Sequence, residues 1–269
     1  MSDKPPPVSP TATATVTLRN GDWSLRTQVT VPTGPTRLRE LVPLVQVLAN
    51  AVVDSAVQGL EETGKKISCK AGCGACCRQL VPISEVEARG IRDLVASMPE
   101  PRRSQVRQRF AAARQVLEKA GLLTRLENRE NWTDEEFRRV GIDYFLLGVP
   151  CPFLEEESCS IHPDRPVTCR EYLVTSPPER CARPSEGMVE GVRLPLKVWT
   201  ALARFDAVPD GSRFLRWVPL VLAPEWADAH PDEPAPRPGT ELLEELFRHL
   251  TGRETNRPAA PGETDTANA

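Results

Sequence analysis

Eight cysteines are the residues of this 269-residue chain whose type and spacing best suit chemistry. Four of them, Cys69, Cys73, Cys76 and Cys77, lie at i, i+4, i+7 and i+8 in the stretch SCKAGCGACCRQL. In a continuous helix this spacing would put all four on one face. Gly72 and Gly74 argue instead for a loop whose backbone amides turn toward sulfur. The loop is expected to lead into a short helical turn at Cys76-Cys77. Side chains of adjacent residues diverge, so this pair suits two metals, or one ligand and one packing residue, better than a single mononuclear ion. The other four cysteines are Cys151, Cys159 and Cys169, in CPFLEEESCSIHPDRPVTCREY, and Cys181. Pro152, Pro163 and Pro166 stiffen that segment, because residues before proline avoid the helical region. An isolated cysteine reads as a small buried hydrophobe. Eight in two groups read as metal ligands. Zinc and iron–sulfur clusters both accept four thiolates. Neither group completes two such sites alone, so the two are expected to converge through shared metal. A four-thiolate site keeps a charge of roughly −2. Lys70, Arg78, Arg165 and Arg170 stand beside the ligands in sequence and could offset it. Cys181 follows the loose stretch TSPPER and is expected to be the most exchangeable ligand.

Other candidates are weaker. Arg165 and Arg170 flank Cys169 and could bind an anion or a carboxylate. The favoured reading is that they pair with Glu155, Glu156, Glu157 or Glu171, or with the thiolates. His162 is read as a loop residue beside the site, and His230 and His249 as surface residues. Glu155, Glu156 and Glu157 read as a solvated charged turn. The five tryptophans, Trp23, Trp132, Trp199, Trp217 and Trp226, read as packing residues. The sequence shows no Ser-His-Asp order, no P-loop and no HExxH motif, so it identifies no catalytic residue and leaves open whether the chain is an enzyme.

The elements that must position the cysteines can be read around them. Ala12, Ala14, Val16 and Leu18 alternate with polar residues, as do Trp23, Leu25, Val29 and Val31 beyond Asn20-Gly21. This predicts a β-hairpin that must dock on something apolar. Leu41, Val45, Leu48, Val52, Ala56 and Leu60 predict a helix that stops at Gly64, with Pro43 in its first turn. Ser84 and Glu87 form a capping box for a helix to about Met98. Another helix is expected from about Pro101 to Ala120. Thr133 and Glu136 cap a further one to about Leu147. Residues 151–184 show no periodicity and are expected to be irregular. VRLPLKVW and FLRWVPLVLA read as edge strands, AHPDEPAPRPG as a linker, and Leu242 to Leu250 as a last helix closed by Gly252. The expected organisation is a disordered tail at 1–10, the hairpin and first helix at 11–64, a cysteine-cluster domain at 65–184, an extension at 185–252 and a second disordered tail at 253–269. The fold class is α+β, mainly helical, with helices around an irregular, metal-bound, cysteine-rich core.

The net charge of −3 gives no reason to expect nucleic acid or an acidic membrane surface as a partner. No apolar run reads as long enough to span a bilayer. The first residues, MSDKPPPVSP, lack the apolar core of a secretory signal, which makes the cytoplasm the expected compartment. Thiols stay reduced there, which favours metal over disulfides.

C-x3-C-x2-C-C, followed by CPFLEEESCSIH and RPVTCREY, resembles the YkgJ-type cysteine cluster proteins, whose shared region is described as a zinc- or iron-chelating domain. The resemblance covers about residues 66 to 184 and includes all eight cysteines and Arg165-Pro166. It implies that the eight cysteines ligate metal. The family usually has an aromatic residue where this chain has His162, so the resemblance implies no ligand role for that histidine. Flagellin lysine N-methylases carry a similar cysteine cluster, which implies S-adenosylmethionine-dependent methyl transfer in one branch. No Gly-rich strand–loop–helix for that cofactor is evident here. The leading expectation is a cytoplasmic protein holding an iron–sulfur cluster or zinc. A protein N-methyltransferase-like enzyme and a metal store or scaffold are the alternatives. Expected partners are the metal or cluster, with a protein substrate or redox partner.

Overall fold

The computed structural model describes residues 10–129, 132–183, 189–205, 215–231 and 233–252. The expected tails lie outside the described residues, apart from Pro10. The chain runs β1 (Thr11–Asn20), β2 (Trp23–Pro32), β3 (Pro35–Thr36), α1 (Leu38–Glu62), β4 (Pro82–Ile83), α2 (Glu85–Ser97), α3 (Arg102–Lys119), α4 (Leu123–Glu127) and α5 (Asp134–Leu146). Then come β5 (Leu154–Glu155), β6 (Ser158–Cys159), α6 (Val167–Glu171), α7 (Pro178–Cys181), α8 (Val198–Ala203), β7 (Val218–Pro219), α9 (Ala223–Ala229), β8 (Arg237–Pro238) and α10 (Gly239–Thr251). The fold is mainly helical, and every sheet among the described residues is a two-stranded antiparallel pair.

The hairpin forms as its alternation predicts. Asn20 pairs with Trp23, so the turn residues are Gly21 and Asp22, one place later than Asn-Gly would suggest. Gly21 takes the positive φ of 59° that the tight turn requires. Leu18, Val29 and Val31 face inward onto Val45, Leu48, Ala49 and Val52 of α1 and Leu243, Leu246 and Phe247 of α10. Val167 of α6 and Val198, Ala201 and Leu202 of α8 complete this core. It therefore joins both ends of the described chain to the helix that carries Cys169. Truncating a fully buried leucine such as Leu246 costs about 2–5 kcal/mol in cores of this kind.

Helix α1 begins five residues before Pro43, which sits inside it rather than in its first turn. By length and composition α1 is long and apolar enough to cross a membrane, contrary to the sequence reading. Its buried stripe, Leu41, Val45, Leu48, Ala49 and Val52, packs in the core, while Val47 on the other side is 63% exposed. Both capping boxes form, at Ser84 with Glu87 and at Thr133 with Glu136. The helix from Arg102 to Lys119 buries Val106, Phe110, Ala113 and Leu117. The two expected strands differ. No residue of VRLPLKVW joins a strand: Gly191 just before it bridges Val174, and Val198 begins α8. Among the described residues of FLRWVPLVLA only Val218-Pro219 forms a strand, pairing with Pro82-Ile83 before α9 starts at Ala223. The prolines limit strand formation in both. Residues 237 and 238 of the expected linker pair with Pro35-Thr36.

Candidate metal centre

The two cysteine groups meet along one short seam. Cys73 lies in a loop, and Cys76 and Cys77 lie in the 3-10 turn Ala75–Arg78, as the two glycines predict. The N–H of Cys151 donates to the carbonyl of Cys77 at 2.7 Å. The N–H of Ser68 donates to the carbonyl of Val174 at 2.9 Å, which brings Cys69 to the chain between Cys169 and Cys181. The second group is less irregular than expected. Cys159 sits in the β5–β6 hairpin opposite Leu154, Cys169 on α6, and Cys181 at the end of α7, which packs on the 3-10 turn.

Gly74 is where this seam is tightest. A Cβ there would stand 2.7 Å from Glu157 Oε2 and from Leu154 Cδ1, and 3.2 Å from Glu157 Cα. Glycine is needed for close approach of the β5–β6 hairpin, a role the sequence reading assigned instead to amide–sulfur contacts. Those contacts exist but come from elsewhere. Sulfur of Cys69 accepts the N–H of Val174, Cys151 that of Phe153, and Cys159 that of Ile161. Two of the three follow an i to i+2 pattern that preforms each cysteine as an acceptor. The hairpin turn holds Glu156 and Glu157 at φ 47° and 57°, a region that favours glycine or asparagine. Glu157 is tied down by Arg78, whose two terminal nitrogens reach its carboxylate at 3.0 and 2.5 Å. The neighbouring Glu155 pairs with Arg109 at 2.8 Å.

The thiols lie within electrostatic reach of one another, with Cys76 at the centre. Negative charge on Cys76 pushes up Cys69, Cys151, Cys159, Cys169 and Cys181. Burial is the first cause in all five, and Cys151 is pushed up to about 12. Cys73 acts on Cys69 and Cys181. The Cys76 thiol hydrogen-bonds Cys77, so this adjacent pair does not diverge as expected, and the bond is the first reason Cys76 is pushed up. All eight cysteines are free thiols. Among the described residues no three His, Cys, Asp or Glu side chains are arranged to hold a metal ion as they stand.

Of the four cations expected to offset thiolate charge, Arg165 acts most widely, favouring ionisation of Cys69, Cys76 and Cys159. Its Nε is buried without a hydrogen-bond partner among the described residues. Arg170 is a clamp rather than an anion site. It is 7% exposed, donates to the carbonyls of Arg165 at 2.9 Å and Pro163, and reaches Asn50 Oδ1 at 3.2 Å. Cys181, expected to be the most exchangeable ligand, is the one buried thiol of the eight, 4% exposed. His162 is exposed and pushed down, first by Arg165. His230 stacks on Trp226 with ring centres 4.4 Å apart, and His249 is half-buried against Phe205 rather than a surface residue.

Three residues of the site escaped the sequence reading. Tyr172 feels Cys181, Cys76 and Cys69, and its hydroxyl accepts from Gln79 at 3.1 Å. Its position in RPVTCREY was the available signal. Glu87 does more than cap α2. One carboxylate oxygen takes the N–H and hydroxyl of Ser84, and the other takes the N–H of Val167 at 2.7 Å, fixing the start of the Cys169 helix. Glu171 is buried and holds the N–H of Val198 at 2.5 Å, and burial pushes its carboxyl up to about 7.

Residues 68–186 match the family model described as "CxxCxxCC: Putative zinc- or iron-chelating domain". The matched region contains all eight cysteines, the Gly74 seam and Arg165. No protein of curated function and no solved structure matches the chain.

Proposed function

We propose that this chain is a metal-binding protein whose eight cysteines hold an iron–sulfur cluster or zinc, with the iron–sulfur cluster as the first reading. The carrying observation is that backbone bonds from Cys151 to Cys77 and from Ser68 to Val174 draw the two cysteine segments together, so that Cys76 acts on or bonds six of the other free thiols and Cys73 acts on Cys69 and Cys181. Three of them already accept backbone N–H bonds, as thiolate ligands do. A donor set of sulfur alone fits zinc and iron–sulfur clusters and disfavours magnesium and calcium. The buried Nε of Arg165, without a hydrogen-bond partner among the described residues, supplies positive charge where an all-thiolate centre keeps a negative one. Among the described residues no three of these thiols stand at the spacing of metal ligands. When bound, the group supplies a cross-link between the two cysteine segments and, if it is a cluster, a redox centre. The cytoplasm suits eight reduced thiols.

Metal analysis and an absorption spectrum of anaerobically purified protein test this reading. Iron with acid-labile sulfide supports a cluster, and zinc without sulfide supports the second reading. Protein that carries and takes up neither refutes both. Nothing in the site specifically favours methyl transfer, and binding of S-adenosylmethionine is the measurement that would revive it.

A further inference from the structure

Strand β1 carries an edge with no backbone partner among the described residues. Its pairing with β2 runs one to one from Thr11↔Pro32 to Asn20↔Trp23, without a bulge. One step beyond, the N–H of Thr33 donates to the carbonyl of Pro10 at 2.9 Å. Opposed residues of an antiparallel pair alternate between hydrogen-bonded and non-bonded pairs. Counting from Pro10, the even-numbered residues of β1 bond β2, and Thr11, Thr13, Thr15, Thr17 and Arg19 turn their N–H and C=O groups outward. No backbone group among the described residues takes them up. Such edges are ordinarily guarded by lysine, proline or a bulge. From Thr11 to Leu18 β1 has none of these and no charge. The β2 edge is guarded, because its outward positions include Arg26 and Pro32, which has no N–H. On the inner face Val29 and Val31 of β2 are buried, but in β1 Ala12 and Val16 are half-buried and Ala14 is exposed. The helices beneath the hairpin thus leave part of the β1 side uncovered.

We propose that β1 pairs antiparallel with β1 of a second copy of this chain, about a two-fold axis at Thr15, joining two hairpins into one four-stranded sheet. The strand's own sequence argues for that occupant. Opposed to itself about Thr15, it sets Thr13 against Thr17, Ala12 against Leu18 and Ala14 against Val16. Threonine meets threonine on the outer face, and alanine meets a larger apolar residue on the inner face, where Ala14 is otherwise exposed. Arg19, the only charged residue of β1, meets Thr11 and not its own copy, so no like charges oppose each other. In this register outward residues meet outward residues, so their backbone groups bond in pairs. The contact is isologous and closes on itself, leaving only the guarded β2 edges outside. It is independent of the metal-binding reading.

Sedimentation equilibrium of the full chain under reductant tests it, the reductant removing any dimer joined through the eight free thiols. The wild type is expected to dimerise reversibly, and a monomer at the highest soluble concentration overturns the proposal, whatever other chain the edge then binds. Thr15→Pro removes an outward N–H at a position where an edge strand tolerates proline. It should sediment as a monomer with unchanged far-UV circular dichroism, and dimerisation equal to wild type overturns the edge. Thr15→Lys and Thr15→Glu test the register without needing proline to be tolerated. Each alone sets two like charges face to face on the axis and should weaken association several-fold or more. Mixed in equal amounts, the two should associate at least as tightly as wild type, because unlike charges then face each other. A mixture that associates no better than either variant alone overturns the pairing about Thr15.

Discussion

The backbone N–H of Cys151 donates to the carbonyl of Cys77 at 2.7 Å, joining segments 74 residues apart in sequence. This bond, the Gly74 contact with Glu157 and the Ser68–Val174 bond bring the cysteine segments together through protein contacts.

Replacing single cysteines should rank them by position. Cys76→Ser is expected to lose most of the metal, because Cys76 acts on five of the other thiols and bonds a sixth. Cys181→Ser should lose metal comparably and also reduce stability, since a hydroxyl replaces a thiol that is 4% exposed. Cys73→Ser, lining a surface cleft, should retain the largest fraction. Metal content per chain across the three variants checks the order, and full retention by Cys181→Ser would contradict it.

Gly74→Ala should destabilise the protein by about 1–3 kcal/mol through overpacking. The side-chain ends of Glu157 and Leu154 can shift, but Glu157 Cα belongs to the backbone and has little room to yield. Gly72→Ala meets no atom within 4 Å and should cost about 1–2 kcal/mol, from its φ of 80° alone. The two differ in where the cost appears. Gly74→Ala should also weaken the β5–β6 hairpin, seen as faster hydrogen exchange at Ser160, whose N–H bonds Phe153. Unchanged exchange there would leave the seam argument unsupported.

Glu156→Asn should stabilise the chain by a few tenths to about 1 kcal/mol, because asparagine tolerates a positive φ that glutamate resists. The same change at Glu157 should gain less, because it also removes the Arg78 ion pair. Thermal denaturation of the two variants checks the difference.

Glu87→Gln should cost about 1–3 kcal/mol near neutral pH. One amide oxygen cannot serve both the Ser84 donors and the Val167 N–H, so a buried donor is left without an acceptor. Burial holds the Glu87 carboxyl above its ordinary value in the folded chain. Its contribution to stability is therefore full below the unfolded carboxylate range and is lost as pH rises through the folded value. Denaturant midpoints across that window should fall with pH in the wild type and show a smaller fall in Glu87→Gln. An equal slope in both would remove Glu87 as the cause.

Chelation should loosen residues 68–80 and 151–183 while sparing β1, β2, α1 and α10. The latter share a core of Leu18, Val29, Val45, Leu48 and Leu246 that contains no cysteine. Hydrogen exchange with and without chelator distinguishes the two regions. Equal loss of protection in both would show that metal and core fold as one unit.

Local chemistry was legible in the sequence. Alternation around Asn20-Gly21 specified the hairpin, and Ser84 with Glu87 and Thr133 with Glu136 specified two helix starts. Gly72 and Gly74 specified a loop entering a helical turn, and the cysteine spacing together with RPVTCREY pointed to the matching family model. These signals depend on neighbours within a few residues, and backbone sterics and periodicity read them directly. What depended on distant partners was not legible. The sequence could not say that Gly74 faces Glu157, that Arg170 clamps Arg165 and Pro163, or that Glu87 holds Val167. Nor could it say that Cys181, behind a loose-looking stretch, is the buried thiol while Cys73 faces the cleft. Accessibility is a property of the whole packed surface, so only the tertiary structure decides which of eight similar ligands the solvent reaches first.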